Sequence, residues 1–118
     1  MHSLRHERVR ELLKRTVGEV IQREISVEEA GLVIVNDVAL SGDLQSATVY
    51  VGFVGTEAQQ KNGLRLIQGK RKRIQGLVGH AVVLKYTPQL RFVTDDSVER
   101  GNRVLKILSD IEPTLPPS

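Results

Sequence analysis

Four successive cations, Lys70-Arg71-Lys72-Arg73, are the densest charge in this 118-residue chain. Around a helix start they point in different directions, so a groove-shaped polyanion satisfies them better than one carboxylate does. Phosphate suits such a run, because phosphate contacts give affinity and position through counterion release and carry little sequence information. Taken alone, the run reads equally well as a solvated surface. A second cluster shifts the balance. Arg5, Arg8, Arg10, Lys14 and Arg15 are interleaved only with Glu7 and Glu11, and two separated basic clusters in so small a chain point to nucleic acid. Lys85 and Arg91 are candidates to extend that surface, as are Arg100 and Arg103, each by itself an ordinary surface residue.

Other chemistry is thin. With two Tyr, two Phe and no Trp, the chain has too few aromatic rings for a base-stacking platform on a sheet. Tyr50 and Tyr86 are therefore read as core or strand packing, which leaves recognition by shape and backbone. His2 and His6 have the i, i+4 spacing of a helical metal pair but no third ligand, and His80 stands alone. Asp95 and Asp96 suit helix capping better than acid–base work. No Gly-x-x-x-x-Gly-Lys loop is present, so nucleotide hydrolysis has no support. No catalytic group, metal, cofactor or small-molecule substrate is expected.

The composition agrees. A hydrophobic share of 40% beside 26% charged residues is ordinary for a globular domain. The absence of cysteine excludes disulfides and thiolate chemistry. No apolar stretch reaches membrane-spanning length and the N-terminus lacks a signal-peptide core, so a cytoplasmic protein without a membrane partner is expected. The net charge is only +3, which makes its distribution matter more than its total.

The elements that position these residues follow from periodicity. Val9, Leu12, Leu13, Thr16, Val17 and Val20 recur at helical spacing, which predicts a helix from about Leu4 to Glu24. The stretch 28–31 reads as a surface connection. Two β-branched strands then meet at a Ser41-Gly42-Asp43 turn, with Leu32, Ile34, Val38 and Leu40 in one phase and Ala47, Val49, Val51 and Phe53 in another. Thr56 is a predicted N-cap. Leu64, Ile67, Ile74 and Val78 share a helical face, yet a straight helix would bury Arg71 in it. An unpaired buried guanidinium is costly, and Gly69 is a poor helix-interior residue, so a break is expected between about Gln68 and Lys72. Ala81 to Tyr86 reads as the third strand, with Leu90 to Thr94 continuing beyond Pro88. Asp96 with Glu99 resembles a capping box opening a further helix. Residues 1–112 are expected to form one domain, with 113–118 a loose Pro-containing tail.

These pieces resemble the ribosome-binding factor A family. Three stretches carry the resemblance: Arg8-Val9; the hairpin Asp37-Val38-Ala39-Leu40-Ser41-Gly42-Asp43-Leu44-Gln45-Ser46-Ala47-Thr48-Val49-Tyr50-Val51; and Tyr86-Thr87-Pro88-Gln89-Leu90-Arg91-Phe92 followed by Asp95-Asp96-Ser97-Val98-Glu99-Arg100-Gly101. The resemblance covers about Leu4 to Glu112. It implies an α+β, type II KH-like domain ordered α-β-β-α-α-β, with a kinked or broken second helix and an added C-terminal helix. The family's Ala-x-Gly kink is not matched. Its place falls on Lys70-Arg71-Lys72 in one alignment, with lysine where glycine belongs, and on Ile67-Gln68-Gly69 in the other, so Gly69 and Lys72 are the two kink candidates.

The resemblance further implies binding to the free small (30S) ribosomal subunit and its 16S rRNA. It implies assistance to late maturation and 5′-end processing, a role in cold adaptation, and association with other assembly factors. A monomer is expected, with the two basic clusters as phosphate contacts. A KH-like module or structural ribosomal component acting on a different RNA is the first alternative. A domain binding acidic protein partners is the second, and a small hydrolase the weakest.

Overall fold

Val9, Leu13, Thr16, Val17 and Val20 are buried on one face of helix α1 (Leu4–Glu24), as their spacing predicts; Ile21 joins them, and Leu12 is only half-buried. The computed structural model describes residues 4–94. His2, the helix expected to begin near Asp96 and the tail from Pro113 lie outside the described residues. After α1 the chain makes one helical turn, α2 (Val27–Ala30), where the sequence reads only a connection. The Ser26 hydroxyl accepts from Glu28 N at 3.2 Å to cap it, and Ala30 is fully buried.

Strands β1 (Leu32–Leu40) and β2 (Ser46–Val54) form the expected antiparallel hairpin. Its turn is closed from within: Ser41 N donates to Ser46 O at 2.9 Å, and the Ser41 hydroxyl donates to Asp43 Oδ1 at 2.7 Å. One expectation fails here. Leu32 and Ile34 are 43% and 41% exposed, while Val33 is buried. The cause is a bulge: Val35 faces Val51 and Asp37 faces Tyr50, so Asn36 is an extra residue in β1. Each strand residue flips the face of the next, so one insertion inverts the phase of everything before it. Val38 inside and Leu32 outside are both consequences.

The third strand is also displaced from its expected position. Helix α4 (Arg71–Ala81) runs into the segment predicted as strand, residues 82–88 are irregular, and β3 is Gln89–Thr94. Burial decides between the two candidates. Within 81–86 only Val82 is buried, and Val83 lies wholly in solvent, whereas Leu90 and Phe92 place two large side chains in the core. Pro88, which has no N–H to give a ladder, sits just before the strand. β3 pairs parallel with β2, Ser46 opposite Gln89 through Val51 opposite Thr94, giving the sheet order β1-β2-β3.

That parallel pairing needs a crossover, which α3 (Glu57–Gly69) and α4 supply. Thr56 and Gln59 form a capping box at the start of α3. The helix break falls at Lys70, between Gly69 as the last residue of α3 and Arg71 as the first of α4. Arg71 is thereby half-exposed, while Ile67, Ile74 and Val78 are fully buried. The break resolves the conflict that a straight helix would have carried. The buried residues of α1, α3 and α4 meet Val33, Val38, Ala47, Val49, Val51, Leu90 and Phe92 on one sheet face.

Side-chain amides from the crossover finish the outer edge of β3. Gln75 Nε2 donates to Pro88 O at 2.8 Å, Leu90 N donates to Gln75 Oε1 at 2.7 Å, and Gln68 Nε2 donates to Phe92 O at 2.9 Å. Gln75→Leu leaves two backbone groups without these partners. It is expected to cost about 1–3 kcal/mol, measurable by urea denaturation, with faster exchange of the Leu90 amide locating the damage.

Candidate nucleic-acid interface

The run Lys70-Arg71-Lys72-Arg73 sits at the α3–α4 junction, and the structure divides it in two. Lys70 Nζ donates to the Glu24 carbonyl at 2.9 Å, satisfying one of the backbone acceptors left open at the end of α1. Arg73 Nε pairs with the Glu24 carboxylate, whose side chain is only 16% exposed. These two cations bind the end of α1 to the junction. Among the described residues Arg71 and Lys72 have no ion-pair partner. Lys72 is exposed and Arg71 half-exposed.

The arginine beside Glu24 holds its carboxyl below the ordinary value of 4.5, with Lys70 and Arg23 adding to the effect. A depressed carboxylate pKa stabilises the fold above the ordinary value, and that contribution fades as pH falls through the lowered one. Glu24→Gln is therefore expected to be less stable than the parent at neutral pH. The difference between their urea midpoints should be constant down to about pH 5 and shrink below 4.5. A difference independent of pH would mean that the carboxylate's charge contributes nothing.

The first-helix cluster divides as well. Arg5, Arg8 and Arg15 are exposed, and Lys14 is half-exposed. Arg10 Nη1 lies 3.2 Å from Asp37 Oδ1, which also accepts from Val38 N, and Arg10 Nη2 lies 3.5 Å from Glu11. Arg10 thus ties α1 to β1 beside the bulge. The sequence reading missed both acidic partners. Asp37 lies 27 residues from Arg10 and Glu24 lies 49 from Arg73, so no local spacing marks either pair.

The two clusters lie along α1 rather than in one patch. The N-terminal end of α1 reaches the β1–β2 turn, where His6 Nε2 donates to Gly42 O at 2.9 Å. The C-terminal end reaches Lys70 and Arg73. At 1.5 Å per residue, 21 residues separate these ends by roughly 30 Å. Arg15 lines an open groove between α1 and Leu32–Val35 of β1, together with Lys14. Lys85 joins Arg5 across a second groove, beside the β1–β2 turn. Arg91 is exposed and opposite Thr48, on the sheet face turned away from the helices, apart from the others.

Tyr86 overturns its expected packing role. It belongs to the irregular stretch 82–88, is 71% exposed, and lies under the Lys85 ammonium, 5.6 Å from the ring centroid. Tyr50 sits half-buried in β2, between Asp37 and Val93. No described helix is long and apolar enough to cross a membrane.

Comparison with known proteins gives concordant matches. The model of the family described as ribosome-binding factor A matches residues 5–108. The ribosome-binding factor A of Macrococcus caseolyticus is 33% identical over 109 residues, covering 92% of this chain and 96% of its own. The crystal structure of ribosome-binding factor A from Thermus thermophilus superposes with a TM-score of 0.65 at 26% identity, covering 79% of this chain and 97% of that one. A homology model of the Thermus thermophilus factor, as fitted into the cryo-EM map of a 30S–RbfA complex, matches with a TM-score of 0.60 at 26% identity, over 71% of this chain and 88% of that one.

Proposed function

This chain belongs to the ribosome-binding factor A family, and from that premise we propose that it is a ribosome assembly factor that binds the free 30S subunit. In this reading it assists late maturation of 16S rRNA, including processing of its 5′ end, acts in the cytoplasm and supports growth in the cold. The observation that carries the reading is the relative fitted into a 30S complex, whose fold this chain shares along most of its length. The charge distribution supports it. Arg5, Arg8 and Arg15 on α1 and Arg71 and Lys72 on α4 present cations toward solvent, where ribosomal RNA would supply phosphates. Their role is positioning: the domain holds immature RNA in one arrangement and leaves when the subunit is complete. No catalytic step is assigned to any residue.

Cosedimentation of the purified protein with free small subunits, free large subunits and joined ribosomes tests this. Comigration with small subunits alone, lost as salt rises, is the expected result. Absence from every fraction at low salt would overturn the reading. Retention on joined ribosomes would favour a permanent ribosomal component.

A further inference from the structure

We propose that the groove between the start of α1, the β1–β2 turn and residues 82–88 holds one unpaired nucleotide of RNA. Its base would stack on Tyr86 and its phosphate would lie between Arg5 and Lys85. This rests on the ribosome-binding reading and adds to it a site that the basic clusters alone do not define. The groove has a volume of about 440 Å³, within the roughly 300–1,000 Å³ usual for small-ligand sites. Arg5 and His6 line it from the helix, Gly42 and Gln45 from the turn, and Lys85 and Tyr86 from the irregular segment.

Two observations favour a nucleotide over other ligands. Tyr86 is a large ring held in solvent at 71% exposure, while Pro88, which lines the same groove, is buried. The hydrophobic surface of the ring is therefore not spent on the core. The Lys85 ammonium lies over one face of the ring, 5.6 Å from its centroid, so a cation able to meet a phosphate stands at the ring while a base would take the opposite face. Among the described lining residues the groove carries one carboxylate, Asp43, whose charge opposes a phosphate. It accepts from the Ser41 hydroxyl and Gln45 N, which hold it on the turn, so the phosphate is assigned to the side of Arg5 and Lys85. A flat base on the ring with its phosphate between two cations matches how unpaired nucleotides are bound, whereas the carboxylates of an acidic peptide gain nothing from the negative face of the ring.

The test uses the full chain carrying Tyr50→Phe, which leaves Tyr86 as its one tyrosine. Titration with an eight-nucleotide oligo(rA) is expected to quench tyrosine emission, and an RNA duplex of equal charge to quench it far less. Tyr86→Leu is expected to weaken 30S binding roughly five- to a hundredfold, the range for one lost base–aromatic stack, while Tyr86→Phe retains it. The exposure of Tyr86 predicts unchanged thermal unfolding for both variants, which separates a binding loss from misfolding. Unquenched emission, or Tyr86→Leu binding subunits as the parent does, would sink the proposal and leave the ribosome-binding reading standing. Equal quenching by poly-glutamate would overturn it in favour of an acidic protein partner. If the parent chain binds no subunits, the ribosome-binding reading fails, and the oligonucleotide titration still decides the groove.

Discussion

Alanine at Arg71 and Lys72 together is expected to weaken 30S binding by roughly 15- to 30-fold at 0.15 M salt, flattening the plot of log K against log salt by about 1.4–1.8. The magnitude follows from losing two phosphate contacts at about 0.7–0.9 in slope each. The structure selects this pair from the four-residue run. Lys70 and Arg73 are engaged with Glu24 of α1, so replacing them mixes a folding effect with a binding effect. Arg71 and Lys72 open α4 without an ion-pair partner among the described residues. Their removal should leave thermal unfolding within about 0.5 kcal/mol of the parent, as for most surface changes. Filter binding or sedimentation across a salt series measures the slope. An unchanged slope with unchanged affinity would identify the run as a solvated surface.

Gly31→Ala is the second large effect, and it acts on the fold. Gly31 joins α2 to β1 with φ 70° and ψ −167°, a region open in practice to glycine alone. A Cβ there would lie 2.5 Å from the carbonyl oxygen of Val54, a backbone atom at the end of β2 that has no easy way to move. Conformational strain and this contact together are expected to cost about 2–4 kcal/mol, on the order of 10 °C in Tm. Gly69→Ala is the control. A Cβ at Gly69 meets nothing within 4 Å, so that change should be neutral or stabilise by up to about 1 kcal/mol. Differential scanning calorimetry of the two variants distinguishes them. A Gly31→Ala protein as stable as the parent would mean that the α2–β1 connection relaxes without loss.

The sequence carried some of this fold openly and some of it not at all. Helix α1 and the hairpin were legible because each buries a stripe whose period its residues repeat. The break at Lys70 was legible because Arg71 and Gly69 both oppose a straight helix. The bulge at Asn36 was not, since nothing local marks an inserted residue, and without it Leu32 and Ile34 would be correctly phased for the core. The third strand went astray for a different reason. Residues 81–86 have ample strand propensity, but a place beside β2 goes to the segment that buries more, and that is a tertiary decision. The misplaced strand also hid Tyr86, because a tyrosine at a strand end reads as packing. For the basic clusters, composition named the cations, while only the fold could show which of them Glu24 and Asp37 had already taken.

The parallel pairing of β2 with β3 bears on how this chain is made. On a chain emerging from its N-terminus, α1 and the hairpin can assemble as soon as they are released. The second edge of β2 then stays open until α3, α4 and all of β3 have followed, since Val51 must wait for Thr94. An open strand edge is a template for pairing with another chain, and non-local parallel closure is intrinsically slow. The vulnerable interval in the life of this molecule is thus during and just after its own synthesis, when a strand of another chain can take the place of β3.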